Sequence, residues 1–194
     1  MLDWTPNTNH TGLYVAQEKD YFEDEGLDVE IVQPPEDGAD ALVASGKAQF
    51  GISFQDTMAP GVTGEDMLPT TAVAAVVQHN TSGIISRKGE GMDRPKGLEG
   101  KKYATWDAPI EKAMMQNVVE ADGGDFSKVE LVPSTVTDEV SALESKSVDA
   151  IWVFYAWAGI ATEVAGLETD YFAFRDVNHH SIIIHRLLSE TMNS

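Results

Sequence analysis

Two short stretches of this chain carry side chains that could do chemistry at a small ligand. The first is Trp4-Thr5-Pro6-Asn7-Thr8-Asn9-His10-Thr11-Gly12-Leu13-Tyr14. It holds two amides, three hydroxyls and an imidazole, with an aromatic ring at each end. The second is Trp106-Asp107-Ala108-Pro109-Ile110-Glu111. Each sits where a run that reads as a strand hands over to a helix, and in open α/β sheets that edge is where small ligands bind. Amides, hydroxyls and indoles can hold and orient a guest. No Gly-x-Ser-x-Gly elbow, zinc-ligand spacing or P-loop accompanies them, and the chain has no cysteine. The expectation is binding, with no catalytic residue, no metal and no cofactor.

The elements that must position these residues alternate. Leu2-Asp3-Trp4 reads as a first strand and Gly12 to Glu25 as a helix with Gly26 as its C-cap. Leu27 to Val32 alternates apolar and polar with the period of a strand. A short helix from Asp37 to Ser45 follows, then a buried strand over Phe50 to Phe54, a helix from Gln55 to Val62 and a strand over Thr70 to Gln78. This pattern predicts a parallel sheet covered by helices. A second unit begins near Ser82, with strands at Gly83 to Ser86, Lys102 to Trp106, Val129 to Val132, Asp149 to Phe154 and Tyr171 to Phe174. Its helices are expected over Pro109 to Ala121, with Pro109 in the first turn, Thr137 to Lys146 with Thr137 as N-cap, and Ala156 to Ala165. The domain expectation is residues 1–82, then 83–178, then an atypical tail over 179–194.

Composition narrows the partners. The net charge of −19 opposes binding to nucleic acid, whose phosphates need Lys and Arg, and equally opposes an electrostatic anchor on anionic lipid. No apolar run approaches the roughly 18 residues of a membrane span. Met1 leads straight into the first strand, so a signal sequence is expected to be absent from the chain as given.

The opening stretch closely resembles that of thiamine-pyrimidine-precursor binding proteins in the NMT1/THI5-like family of transporter-associated solute receptors. The resemblance covers roughly residues 1–178. It continues through Gly26-Leu27-Asp28-Val29-Glu30-Ile31, Phe50-Gly51-Ile52-Ser53, Pro95-Lys96-Gly97-Leu98-Glu99-Gly100-Lys101-Lys102 and Ile151-Trp152-Val153-Phe154-Tyr155-Ala156-Trp157. It implies an α/β protein like the type II periplasmic binding proteins, with two lobes, a cleft between them and closure on the ligand. It also implies capture of a small aromatic heterocycle such as formylaminopyrimidine, an ABC permease and its ATPase as partners, a monomer, and an extracytoplasmic location. Contact with the membrane would run only through the permease or a missing lipid anchor. A riboflavin or alkyl sulfonate receptor of the same fold is the alternative. A pyrimidine-synthase reading fits less well. The lysine that those enzymes use for pyridoxal phosphate would fall near Gly51-Ile52-Ser53, where no lysine stands, and a Schiff base needs an amine.

A flat aminopyrimidine calls for a stacking face and for polar groups in the ring plane. The candidates for contact are Trp4, Asn7, Asn9, His10, Ser53, Gln55, Trp106, Glu111, Tyr155 and Trp157. Each has a plainer reading beside it. Trp4 and Tyr14 suit a core. Asn7 and Asn9 suit Asx turns. His10 suits a structural histidine, Gln55 a helix cap, and Glu111 a partner of the helix dipole. Trp152 is expected in the core. His179 and His180 are given no metal role. The tail from His179 has no family character, and a one-base frameshift near His180 would explain it. On that reading the return of the chain to the first lobe is missing, and an apolar sheet face there is left open.

Overall fold

The computed structural model describes residues 1–35, 38–63, 67–77, 79–134, 136–177 and 186–191. The expected helix start at Asp37, the strand end at Gln78 and the pair His179-His180 lie outside the described residues. The chain divides into two compact units, one of Met1–His79 with Ile184–Ser194 and one of Asn80–Ile183.

In the first unit a 3-10 turn over Thr8–His10 leads into α1 (Thr11–Glu18) and α2 (Tyr21–Asp24). The single helix expected over Gly12 to Glu25 is broken because Asp20 adopts a left-handed backbone, φ 58°, a conformation Asp tolerates better than most residues. Next come α3 (Ala39–Ala44), β1 (Phe50–Phe54), α4 (Gln55–Thr63) and β2 (Thr70–Val77). The strands expected at Leu2-Asp3-Trp4 and Leu27 to Val32 do not form as strands. Their neighbourhood keeps only isolated ladder-type bonds, from the Leu2 N–H to the Val32 carbonyl at 2.8 Å and from the Ile52 N–H to the Met1 carbonyl at 3.0 Å. Leu27 stays exposed, while Val29, Ile31 and Val32 are half-buried and Asp28 and Glu30 point to solvent, so the run keeps its two faces without a full ladder.

The second unit contains β3 (Ser82–Arg87), β4 (Lys102–Thr105), α5 (Pro109–Ala121), β5 (Glu130–Pro133), α6 (Glu139–Glu144), β6 (Ala150–Phe154), a π-helical turn over Tyr155–Gly159, α7 (Ile160–Val164), β7 (Thr169–Ala173) and α8 (Phe174–Val177). On α5, Glu111, Met114, Met115, Val118 and Val119 are buried, the i, i+3, i+4, i+7, i+8 stripe of a core-facing helix. The cap of α6 is Asp138, whose carboxylate accepts from the Ser141 N–H at 3.0 Å, in place of Thr137. Asp one residue nearer the helix is the stronger acceptor for that orphan donor.

Neither sheet is purely parallel: the second unit's is mixed, and among the described residues every ladder of the first unit's is antiparallel. The second unit runs β5-β4-β6-β3-β7, with β4 parallel to β5 and β6 but β3 antiparallel to both β6 and β7. The first unit runs β1-β8-β2, where β8 (Arg186–Thr191) is antiparallel to both neighbours. A right-handed helical crossover forces parallel neighbours, but β3 follows β2 after only a few residues and enters its sheet from the other unit. The absence of any return to the first lobe is therefore overturned: residues of the atypical tail fill the slot between β1 and β2. The flanking strands offer two rows of backbone donors and acceptors, and a strand in that slot pairs with both whatever its side chains.

β3 is buried along its whole length. Gly83 at its start is required, because a Cβ there would lie 2.2 Å from the Phe172 carbonyl oxygen and 2.7 Å from the Tyr171 ring. At its end, the buried Arg87 guanidinium ties the sheet to its surroundings. It donates to the Leu143 and Val148 carbonyls at 2.9 Å each, to both carboxylate oxygens of Glu90 at 2.9 Å, and to Asp149. Removing one partner of a buried ion pair leaves the others uncompensated. Arg87→Met is expected to destabilise the second unit by about 3 kcal/mol or more. Urea unfolding followed by tryptophan fluorescence checks this, since Trp106, Trp152 and Trp157 all lie in that unit.

Candidate functional site

The opening loop is held by its own polar groups. Asn7 caps the 3-10 turn, its side-chain oxygen accepting from the Asn9 N–H at 2.9 Å and from the Asn9 amide at 2.9 Å. The Asn7 N–H donates to His10 Nδ1 at 3.2 Å, and His10 Nε2 meets Asp3 Oδ1 at 2.6 Å. Since Nδ1 accepts, Nε2 carries the proton and donates to the carboxylate. His10 is 2% exposed. Both its nitrogens are committed within the unit, so it positions the loop and presents ring carbons to the adjacent space. Asn9 is half-buried and Trp4 is 43% exposed, so both remain available to a guest.

Ser53, at the carboxyl end of β1, is buried, and its hydroxyl donates to Asp40 Oδ2 at 2.7 Å. The other Asp40 oxygen, Oδ1, is buried with no hydrogen-bond partner among the described residues. Burial pushes the Asp40 carboxyl up, and the Ser53 hydroxyl partly draws it back down. Asp40 was not legible as a site residue, because its partner is 13 positions away and neither belongs to a motif. Gln55 is exposed at the start of α4.

In the second unit Glu111 is 1% exposed. Its carboxylate accepts from the Tyr103 hydroxyl at 2.6 Å, the Thr105 hydroxyl at 2.9 Å and the Trp106 N–H at 3.0 Å. Burial, with the Glu111 charge beside it, holds the Tyr103 hydroxyl well above its usual range. Glu111 is thus neither a surface partner of the dipole nor a free acceptor. It folds back from α5 and clamps the end of β4, which fixes Trp106. The Trp106 indole is 52% exposed and stands on the buried Trp152 ring, with centroids 5.4 Å apart at 47°. Trp152 packs edge-on against Phe174 at 4.5 Å. Trp152 is a core residue, as its sequence setting predicts, and its role is to support Trp106.

Tyr155 and Trp157 lie on the π-helical turn after β6. Tyr155 is exposed, its ring tilted on Tyr171 at 4.8 Å and its hydroxyl donating to Glu163. Trp157 is half-buried. Gly159 allows this arrangement, because a Cβ there would sit 2.6 Å from the Tyr155 ring. Among the described residues no cluster of three or more His, Asp or Glu could hold a metal, and no helix is long and apolar enough to cross a membrane.

The Asp40 carboxyl gives a pH-dependent prediction. A carboxyl raised on folding favours the protonated form, so its stabilising contribution is present at pH below the unfolded value. That contribution is lost as pH rises through the folded one. Asp40→Asn, which keeps an acceptor for Ser53, is expected to raise Tm by a few degrees at pH 7 and by less at pH 4. Thermal melts across that range check it.

Comparison with known proteins follows the same lines. A family described as NMT1/THI5 like matches residues 7–186. A formylaminopyrimidine-binding protein of Halalkalibacterium halodurans is 37% identical over 134 residues, which are 68% of this chain and 40% of that protein. A 4-amino-5-hydroxymethyl-2-methylpyrimidine phosphate synthase of Saccharomyces cerevisiae, THI11, is 34% identical over 106 residues, which are 53% of this chain and 30% of that enzyme. The chain thus spans less than half the length of these relatives. Among solved structures, the periplasmic aliphatic sulphonate binding protein SsuA of Escherichia coli aligns with a TM-score of 0.70 at 13% identity, covering 94% of this chain and 62% of that one. The ligand binding component of an ABC-type import system from Staphylococcus aureus aligns with a TM-score of 0.67 at 13% identity, covering 98% and 65%. With the strand order and inserted antiparallel strands described above, the chain belongs to the NMT1/THI5-like family and has the type II fold of ABC-import solute-binding proteins.

Proposed function

We propose that this chain is the ligand-binding part of an ABC import receptor and captures a thiamine pyrimidine precursor of the formylaminopyrimidine type, making and breaking no bond. The observation that carries this reading is Trp106. Its indole is half-exposed at the carboxyl end of β4, backed by Trp152 and locked by Glu111. That is a rigid stacking face for a flat ring, and such stacking adds about 0.5–1.5 kcal/mol beyond area burial. Asn9, Trp4, Tyr155 and Trp157 are the further groups we assign to the ligand. Asn7, His10, Ser53 and Glu111 position them. The chemistry named for the Halalkalibacterium relative agrees with this assignment. The partners are an ABC permease and its ATPase, at an extracytoplasmic location.

The yeast relatives are named as synthases. Their chemistry is not supported here, because the place where the resemblance sets a lysine holds Ser53, whose hydroxyl is bonded to Asp40. Calorimetric titration with 4-amino-5-hydroxymethyl-2-methylpyrimidine, riboflavin and butanesulfonate tests the proposal. Binding of the pyrimidine in preference to the other two is expected, with Trp106→Ala weakening it about tenfold. Binding of the sulfonate or riboflavin alone would move the chain to the other receptor class.

A further inference from the structure

The chain passes from the first unit to the second at His79 and Asn80. We infer that residues 80–82 are the locked end of this connection, and that the Tyr171 hydroxyl is the lock, joining the connection to the turn that carries Tyr155.

Two sets of bonds converge on these residues. Asn80 is buried, and its side-chain oxygen accepts from the Ser82 N–H at 2.8 Å and from the Ser82 hydroxyl at 2.6 Å. That is an Asx turn closed twice. Between them, the Thr81 carbonyl accepts from the Tyr155 N–H at 3.1 Å and from the Tyr171 hydroxyl at 3.2 Å. A carbonyl oxygen has two lone pairs, and here both are used. The donors come from separate elements, the π-helical turn after β6 and the strand β7. One is a main-chain N–H, which almost any side chain leaves intact. The other is a phenol, which phenylalanine does not replace. The two tyrosine rings lie 4.8 Å apart, in room left by Gly83 and Gly159. Packing alone needs only the ring of Tyr171, so its hydroxyl is committed to the connection. Burial pushes that hydroxyl up to about 12, so it remains a donor throughout the neutral range. On the ligand reading given above, a guest resting on Tyr155 acts one hydrogen bond away from the connection; the lock itself stands without that reading.

The test compares Tyr171→Phe, which keeps the ring and removes the hydroxyl, with Tyr155→Phe, which removes the bond to Glu163 and leaves the Thr81 carbonyl untouched. Amide hydrogen exchange in the full chain, read by NMR, is followed at Ser82 and Tyr155, whose N–H groups close the joint, and at Ile85 within β3. Tyr171→Phe is expected to speed exchange at Ser82 and Tyr155 about fivefold relative to Ile85, the effect of one lost hydrogen bond, and Tyr155→Phe is not. The chain has no cysteine, so spin labels attached through Lys47→Cys and Glu144→Cys, one in each unit, read the distance between the units. Its distribution is expected to widen with Tyr171→Phe and to stay as it is with Tyr155→Phe. Equal acceleration at all three amides, no acceleration, or the same local effect from Tyr155→Phe refutes the lock. Faster exchange at the joint with an unwidened distribution refutes its hold on the units. Failure of the pyrimidine to bind changes none of these outcomes.

Discussion

A carboxylate withdrawn from water must be surrounded by donors, and the loops that lead into α1 and α5 are both built on that requirement. In the first unit Asp3 is buried and meets His10, which in turn accepts from the Asn7 backbone. In the second, Glu111 is buried beneath two hydroxyls and a backbone N–H. Each arrangement joins the end of a central segment to the start of the next helix, and each fixes the residues between. Because an unsatisfied buried charge is costly, neither loop can drift without losing its anchor. The exposed groups, Trp4 and Trp106, are therefore carried on backbones whose geometry is set by residues that do not themselves reach solvent.

The same economy appears in the sheets. In the second unit the spatial order is β5-β4-β6-β3-β7. In the first, backbone bonds place Val32 beside Leu2 and Met1 beside β1, which is followed by β8 and β2. The two orders correspond, with one inserted antiparallel strand in the fourth place of each. In each sheet the inserted strand separates two strands that a helix connects, β6 and β7 through α7 and β1 and β2 through α4. The first unit is the weaker copy. Thr71 to Val76 of β2 are all exposed, and the strand carries no charge. A neutral strand at a sheet edge is a template for unwanted pairing, and in a chain of net charge −19 repulsion between copies is what opposes it.

Much of this was legible from residue pattern alone. Phe50–Phe54 and Pro109–Ala121 form as expected, because five residues rich in Phe and Ile are too short for a stable helix and a Pro-initiated 13-residue stripe has the helical period. Strand direction was not legible, since side-chain alternation is the same for parallel and antiparallel neighbours. The alternation at Leu27 to Val32 does set two faces, with Val29 and Ile31 half-buried, but the segment keeps only an isolated backbone bond to Leu2, because periodicity assigns faces and not ladder partners. Glu111 illustrates a different limit. A first-turn acid on a helix reads equally as a dipole partner, a ligand acceptor or a buried clamp. Only the approach of Tyr103, Thr105 and the Trp106 N–H decides among them. Long-range side-chain pairs such as Asp40 with Ser53 leave no trace in periodicity at all.

A family that includes both receptors and synthases cannot assign chemistry by membership, so the assignment must come from local groups. Capture of an aldehyde as a Schiff base requires a nucleophilic amine. At the end of β1 this chain offers a serine hydroxyl that already donates to a carboxyl. The pair can hold β1 against α3, and it has no route to a Schiff base. What the two loops have in common is a buried anchor: an acid that fixes the Trp106 loop and an imidazole that fixes the Asn7–Asn9 turn. Anchors of this kind hold exposed rings and amides in place through hydrogen bonds whose cost, if broken in a buried setting, keeps each loop in one geometry.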